Sequence, residues 1–209
     1  MGEYSKNRKL GFGLCSRDAR SILNSILNKD KYVIKKGVIM KRIVFLDIDG
    51  VVNTLQIDTQ PIANSKYKEM HDGFYFDICN ESDKRVSDRQ AIMWLNKLCR
   101  AIKADIVISS TWRLHPEAPE EALYNSGLDK DIKILGYTPW LPDGCRGDEI
   151  QAWLNTNVPY EDCAIVILDD DSDMGHLLEY LVKCNTWHGF KYPEYYNALE
   201  IIEKQLEKF

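Results

Sequence analysis

Apolar and polar positions along the chain fall into two recurring patterns. Short continuous apolar runs end at acids or hydroxyls: Ile43–Leu46, Ile106–Ile108 and Ala164–Leu168. Runs this short, without alternation, predict strands buried on both faces. Other stretches carry helical spacing. Ile92, Leu95, Leu98, Cys99 and Ile102 form one stripe, which predicts a helix capped by Ser87 and running to about Lys103. Further helices are predicted over Pro119–Asn125, from about Arg146 through Leu154, and as an amphipathic closing helix over Tyr195–Leu206. Ile132–Leu135 and Leu181–Cys184 complete the set as short strands. Strands alternating with helices predict an α/β fold, a Rossmann-like parallel sheet with helices on both faces. No internal repeat or low-complexity tract interrupts this order.

Two segments fall outside the alternation. Residues 54–86 have no clear period and hold Tyr67, Phe74, Tyr75 and Phe76. The segment is too long for an ordinary connection and predicts a flap or small cap inserted after the first strand. Residues 1–39 are basic, with one helix-like piece over Ser16–Leu27. They read either as a basic arm that holds a polyanion or as a loosely attached, even artificial, extension. Lys36–Met40 can be back-translated with AAGGAG just ahead of an ATG, which permits Met40 as the natural start. The expected organisation is therefore a basic extension over 1–39 and one domain over 40–209.

Composition narrows the class. With 209 residues and 44% hydrophobic content, the chain can bury the core of one domain. No apolar run is long enough to cross a bilayer, and the N-terminus lacks the apolar core of a secretory signal. Lys6 stands where a myristoylation motif needs Ser or Thr. A cytoplasmic protein with no membrane partner is expected; protein partners are not specified. Cys15, Cys79, Cys99, Cys145, Cys163 and Cys184 form no CxxC pair and read as reduced, mostly buried thiols. The net charge of −5 is uneven. Residues 1–39 carry nine Lys or Arg against three acids, so residues 40–209 carry −11. A domain that acidic does not bind nucleic acid through its bulk field; a polyanion needs a local cation or a metal.

The candidate chemistry sits after the strands, where open parallel sheets bind ligands. Asp47-Ile48-Asp49-Gly50 follows the first, Ser109-Ser110-Thr111-Trp112-Arg113 the second, and Asp169 to Asp173 the third. Crowded carboxylates call for a hard dication with oxygen ligands, such as Mg²⁺. A carboxylate such as Asp47 can attack phosphorus, and Asp49, two residues on and on the same side of an extended segment, can act as acid and base. Ser109, Ser110 and nearby backbone N–H groups can hold phosphoryl oxygens, with Arg146 and Arg113 as candidate cations.

Asp47-Ile-Asp-Gly-Val-Val-Asn resembles the first motif of the haloacid dehalogenase (HAD) superfamily. Ile106-Val-Ile-Ser109 resembles the second and Ile165-Val-Ile-Leu-Asp169-Asp170 the fourth, while Arg146 sits where the third places a Lys or Arg. The resemblance covers about residues 41–209. More narrowly, ISSTWR, RGDEI and LDDDSDM together resemble the HAD domain of Swiss army knife RNA-repair proteins. It implies an Mg²⁺-dependent phosphatase acting through an aspartyl-phosphate on a nucleic-acid end or nucleotide. Asp47 would be nucleophile, Asp49 acid and base, and Asp47, Asp49 and Asp169 or Asp170 would hold the metal, with Asp49 giving its backbone carbonyl.

Plainer readings stand beside these. A calcium loop would continue with alternate acids, whereas Val51, Val52 and Leu55 follow Gly50. Arg113 can simply pair with an acid. Trp112, Trp140, Trp153 and Trp187 read as packing residues, with Trp140 the one to test for substrate contact. His71, His115, His176 and His188 lack ligand spacing, although His71 and His115 fall in loops expected at the active edge. Asn53 can anchor the flap. The rival functions are a small-molecule phosphatase such as a 5′-nucleotidase, and a non-catalytic HAD-fold binding domain.

Overall fold

The computed structural model describes residues 18–35, 40–54, 88–114, 119–158 and 163–208. Five strands form one parallel sheet: β1 (Lys41–Leu46), β2 (Asp105–Ile108), β3 (Ile134–Tyr137), β4 (Cys163–Asp169) and β5 (Leu181–Lys183), in the order β3-β2-β1-β4-β5. β1 is central because it is apolar on both faces. Val44 and Leu46 pack into one core layer, Ile43 and Phe45 into the other. The first layer is covered by α2 (Arg89–Ile102) and α5 (Tyr192–Leu206), the second by α4 (Arg146–Asn157) and a 3-10 turn over Gly175–Tyr180. Phe45 meets Trp153 of α4 edge-on, ring centroids 5.6 Å apart. A short helix, α3 (Pro119–Asn125), precedes β3 and contributes Leu123 to the first layer.

Four details differ from the sequence reading. The N-cap of α2 is Asp88, whose carboxylate accepts from the N–H groups of Gln90 and Ala91; Ser87 lies outside the described residues. β3 begins at Ile134, because Ile132 is spent in a turn onto the Asp129 carbonyl. α5 starts three residues early, with Pro193 in its first turn and Glu194 accepting from the Lys191 N–H. The largest difference is N-terminal: Ala19–Lys35 is a helix, α1, longer than the expected piece. Ile22 and Ile26 are buried in the first core layer, and α1 packs on α5. Ile22 and Ile26 thus tie this helix to the sheet. The flap expected over 54–86 lies outside the described residues beyond Thr54. Among the described residues no helix is long and apolar enough to cross a membrane, and Cys99, Cys145, Cys163 and Cys184 are free thiols.

Candidate active site

The ends of β1, β2 and β4 bring three polar loops together. Asp47 continues the ladder, its N–H donating to the Leu168 carbonyl at 2.9 Å, so its backbone is as fixed as the strand. Its side chain is buried beside Asp169 and Asp170, and one carboxylate oxygen from each lies within 4.8 Å of the others. Burial, reinforced by the charge of Asp169, pushes the Asp47 carboxyl up to about 7. Burial likewise raises Asp169 to about 6, against the opposing pull of the Asp171 N–H and Arg146. Asp169 Oδ1 accepts from the Asp171 N–H at 2.9 Å, but Asp169 Oδ2 is buried with no hydrogen bond. Three carboxylates so placed repel one another, and a buried anionic oxygen without a hydrogen bond is costly even with Arg146 Nε 3.5 Å away. An all-oxygen donor set of three crowded carboxylates fits a hard divalent cation such as Mg²⁺.

Gly50 is required twice. Its φ of +72° suits a residue without Cβ, and a Cβ there would fall 2.2 Å from Asp170 Oδ2. The glycine thus lets the Asp170 carboxylate close against the first loop, where the Thr186 hydroxyl also donates to it at 2.7 Å. Asp49 lies outside the carboxylate trio. Its two oxygens accept from Asn53 Nδ2 and Trp112 Nε1, each at 2.8 Å, which aims the carboxylate from both sides. Asn53 therefore holds Asp49; its expected hold on the flap falls outside the described residues.

Arg146 enters from the first turn of α4. Its guanidinium lies 3.8 Å from Asp47, 3.5 Å from Asp169 and 3.8 Å from Glu149. The turn sits close because Gly147 has no side chain: a Cβ would fall 2.0 Å from the Met174 carbonyl oxygen. Asp173 also accepts from the Arg146 backbone N–H at 3.0 Å. Ser109 is fully buried, with an Oγ that makes no hydrogen bond among the described residues. Ser110 instead hydrogen-bonds the Asp47 carboxylate, which opposes the rise in its pKa.

Of the two readings of Arg113, the structure places it in the plainer one, paired with an acid. Its buried guanidinium pairs with Glu149 at 2.7 Å and donates to the Ser109 and Ser110 carbonyls at 2.6 and 2.8 Å. Those bonds commit it to holding the β2 loop, and Arg146 remains the cation beside Asp47. The sequence reading missed Glu149, Trp112 and Thr186 as supports. Glu149 carried one signal: it stands three residues after Arg146, hence on the same helix face.

The tryptophans divide. Trp153 packs on Phe45 and Trp94 on Tyr192 and Tyr195, but Trp140 and Trp187 are 53% and 60% exposed, contrary to a packing role. His176 meets Gln151 at 2.9 Å; His71 and His115 lie outside the described residues.

A family model described as "HAD domain in Swiss Army Knife RNA repair proteins" matches residues 43–195. Comparisons with curated proteins and with solved structures gave no match.

Proposed function

Because the chain belongs to the family of HAD domains in Swiss Army Knife RNA repair proteins, we propose that it is a Mg²⁺-dependent phosphohydrolase that works through an aspartyl-phosphate and releases phosphate from a nucleic-acid end or a nucleotide. The observation that carries this reading is the meeting of Asp47, Asp169 and Asp170 with Arg146 at one edge of the sheet.

Asp47 attacks phosphorus through a carboxylate oxygen. The bond from phosphorus to the leaving oxygen breaks, and that oxygen takes a proton from Asp49. Asp49, then a carboxylate, draws a proton from water as the water attacks the phosphoryl group. The acyl-phosphate bond breaks, phosphate departs and Asp47 is restored. The hydroxyl of Ser109 is free to donate to a phosphoryl oxygen, and Arg146 offsets phosphoryl charge from the first turn of α4. Ser110, hydrogen-bonded to Asp47, and Arg113, bound to the β2 loop, keep nucleophile and serine in register. Mg²⁺ held by Asp47, Asp169 and Asp170, with the Asp49 carbonyl as a further ligand, would supply the positive charge that lets an anionic nucleophile approach an anionic ester.

A phosphate-release panel with Mg²⁺ tests the reading. Oligonucleotides with 5′- or 3′-terminal phosphate are expected to be hydrolysed. Release from mononucleotides or sugar phosphates alone would favour a small-molecule phosphatase. No release from any ester would leave a non-catalytic binding domain.

A further inference from the structure

Trp140 is a large apolar side chain left 53% exposed beside a buried polar site. Its loop is nevertheless held firmly. Pro139 and Pro142 flank it and restrict its backbone. The next residue, Leu141, donates its N–H to Glu149 Oε1 at 3.2 Å. The indole ring lies over the Arg113 guanidinium, 5.8 Å from ring centroid to carbon. Arg113 is itself fixed by Glu149 Oε2 and two carbonyls. A single carboxylate, Glu149, therefore holds the Trp140 loop with one oxygen and both arginines with the other.

We propose that Trp140 is a stacking platform for a nucleobase of the substrate, set at a fixed distance from the phosphate pocket by Glu149 and Arg113. This rests on the nucleic-acid reading above and names the part of the substrate, other than phosphate, that the site recognises. Trp140 follows β3, two strands from Asp47, so the two strands lie roughly 10 Å apart. That is within reach of a terminal phosphate and the base of its own or the neighbouring nucleotide. Charge favours such a contact. Residues 40–209 carry 29 acids against 18 Lys or Arg and repel a polyanion, whereas stacking needs only a π-face. A rigid platform also loses little side-chain freedom on binding. Trp187, the other exposed indole, follows β5 at the opposite edge, and its backbone N–H is tied to Asn185. No arginine links it to the phosphate-side cluster among the described residues.

The test compares an oligonucleotide phosphate bearing a terminal base with the same molecule made abasic at its last two nucleotides. The ratio of their kcat/KM values is the readout. In the wild-type protein the base-bearing substrate is expected to be favoured about tenfold or more. Trp140→Ala should bring the ratio near one, Trp140→Phe should keep most of it, and Trp187→Ala should leave it intact. A wild-type ratio of one, a ratio that survives in Trp140→Ala, or one lost only in Trp187→Ala overturns the proposal. Phenyl phosphate separates this from the phosphatase reading. Hydrolysis of phenyl phosphate without any base preference removes the platform alone. If no ester is hydrolysed, the phosphatase reading fails. Quenching of indole fluorescence by a mononucleotide in the wild type, absent in Trp140→Ala, then still decides the platform.

Discussion

Asp47 shows what crowding buried carboxylates costs. Its folded value of about 7 stands well above the usual value of about 3.9 for an aspartate. The protonated form is therefore the one the fold favours. Its contribution to stability is present below about pH 4 and is lost as pH rises through about 7. Chelator-treated protein is expected to melt lower at pH 8 than at pH 5, and Asp47→Asn should flatten that slope while lowering phosphatase turnover about 10⁴-fold or more. Thermal melts across pH check the first and phosphate release the second. Glu149 is the converse case, a buried acid matched by two arginines. Glu149→Gln strands the buried Arg113 charge, so we expect a loss of about 3–5 kcal/mol in denaturant unfolding and a raised KM. At this scale the meeting of Asp47, Asp169, Asp170, Ser109 and Arg146 at one sheet edge was legible, because chemical groups at successive strand ends converge in any parallel sheet. Trp112 and Thr186 were not, because each acts through a partner distant in sequence, and Glu149 showed only its spacing to Arg146, not its pair with Arg113.

Among the elements, β1, β2 and β4 were legible because burial on both faces leaves an unbroken apolar run. The bounds of β3 were not: Ile132 is as apolar as the strand but closes a turn. α1 shows the same limit more strongly. Its stripe of Ile22 and Ile26 has no partner nearby in sequence and finds one in α5, at the other end of the chain. Lys29 reinforces the contact with Glu207 at 3.2 Å, an exposed pair worth little by itself. Ile26 is fully buried, so Ile26→Ala should cost about 2–5 kcal/mol by denaturant unfolding. A change within about 0.5 kcal/mol would mean that α1 is not part of the core.

For the whole molecule, the fold and the acid site are one energetic system. The sheet fixes three carboxylates close together, and a cation bound among them would relieve their repulsion. Mg²⁺ at about 100 times its dissociation constant is expected to stabilise the protein by about 2.7 kcal/mol. Calorimetry should record the rise in Tm in wild-type protein and little or none in Asp169→Asn. An equal rise in both would place the cation elsewhere. The acidic domain, opposite in charge to its N-terminal segment, also means that any nucleic-acid end must be recognised locally rather than gathered by the overall field.

Covalent capture of the phosphoryl group on Asp47 tests the central claim most directly. The protein is quenched in acid during turnover of a phosphate ester with Mg²⁺, reduced with borohydride and mapped by peptide mass spectrometry. Reduction of an aspartyl-phosphate leaves homoserine, expected at position 47 and only when ester and Mg²⁺ are both present. Steady turnover with Asp47 unmodified, or with the phosphoryl group on another residue, would contradict the account.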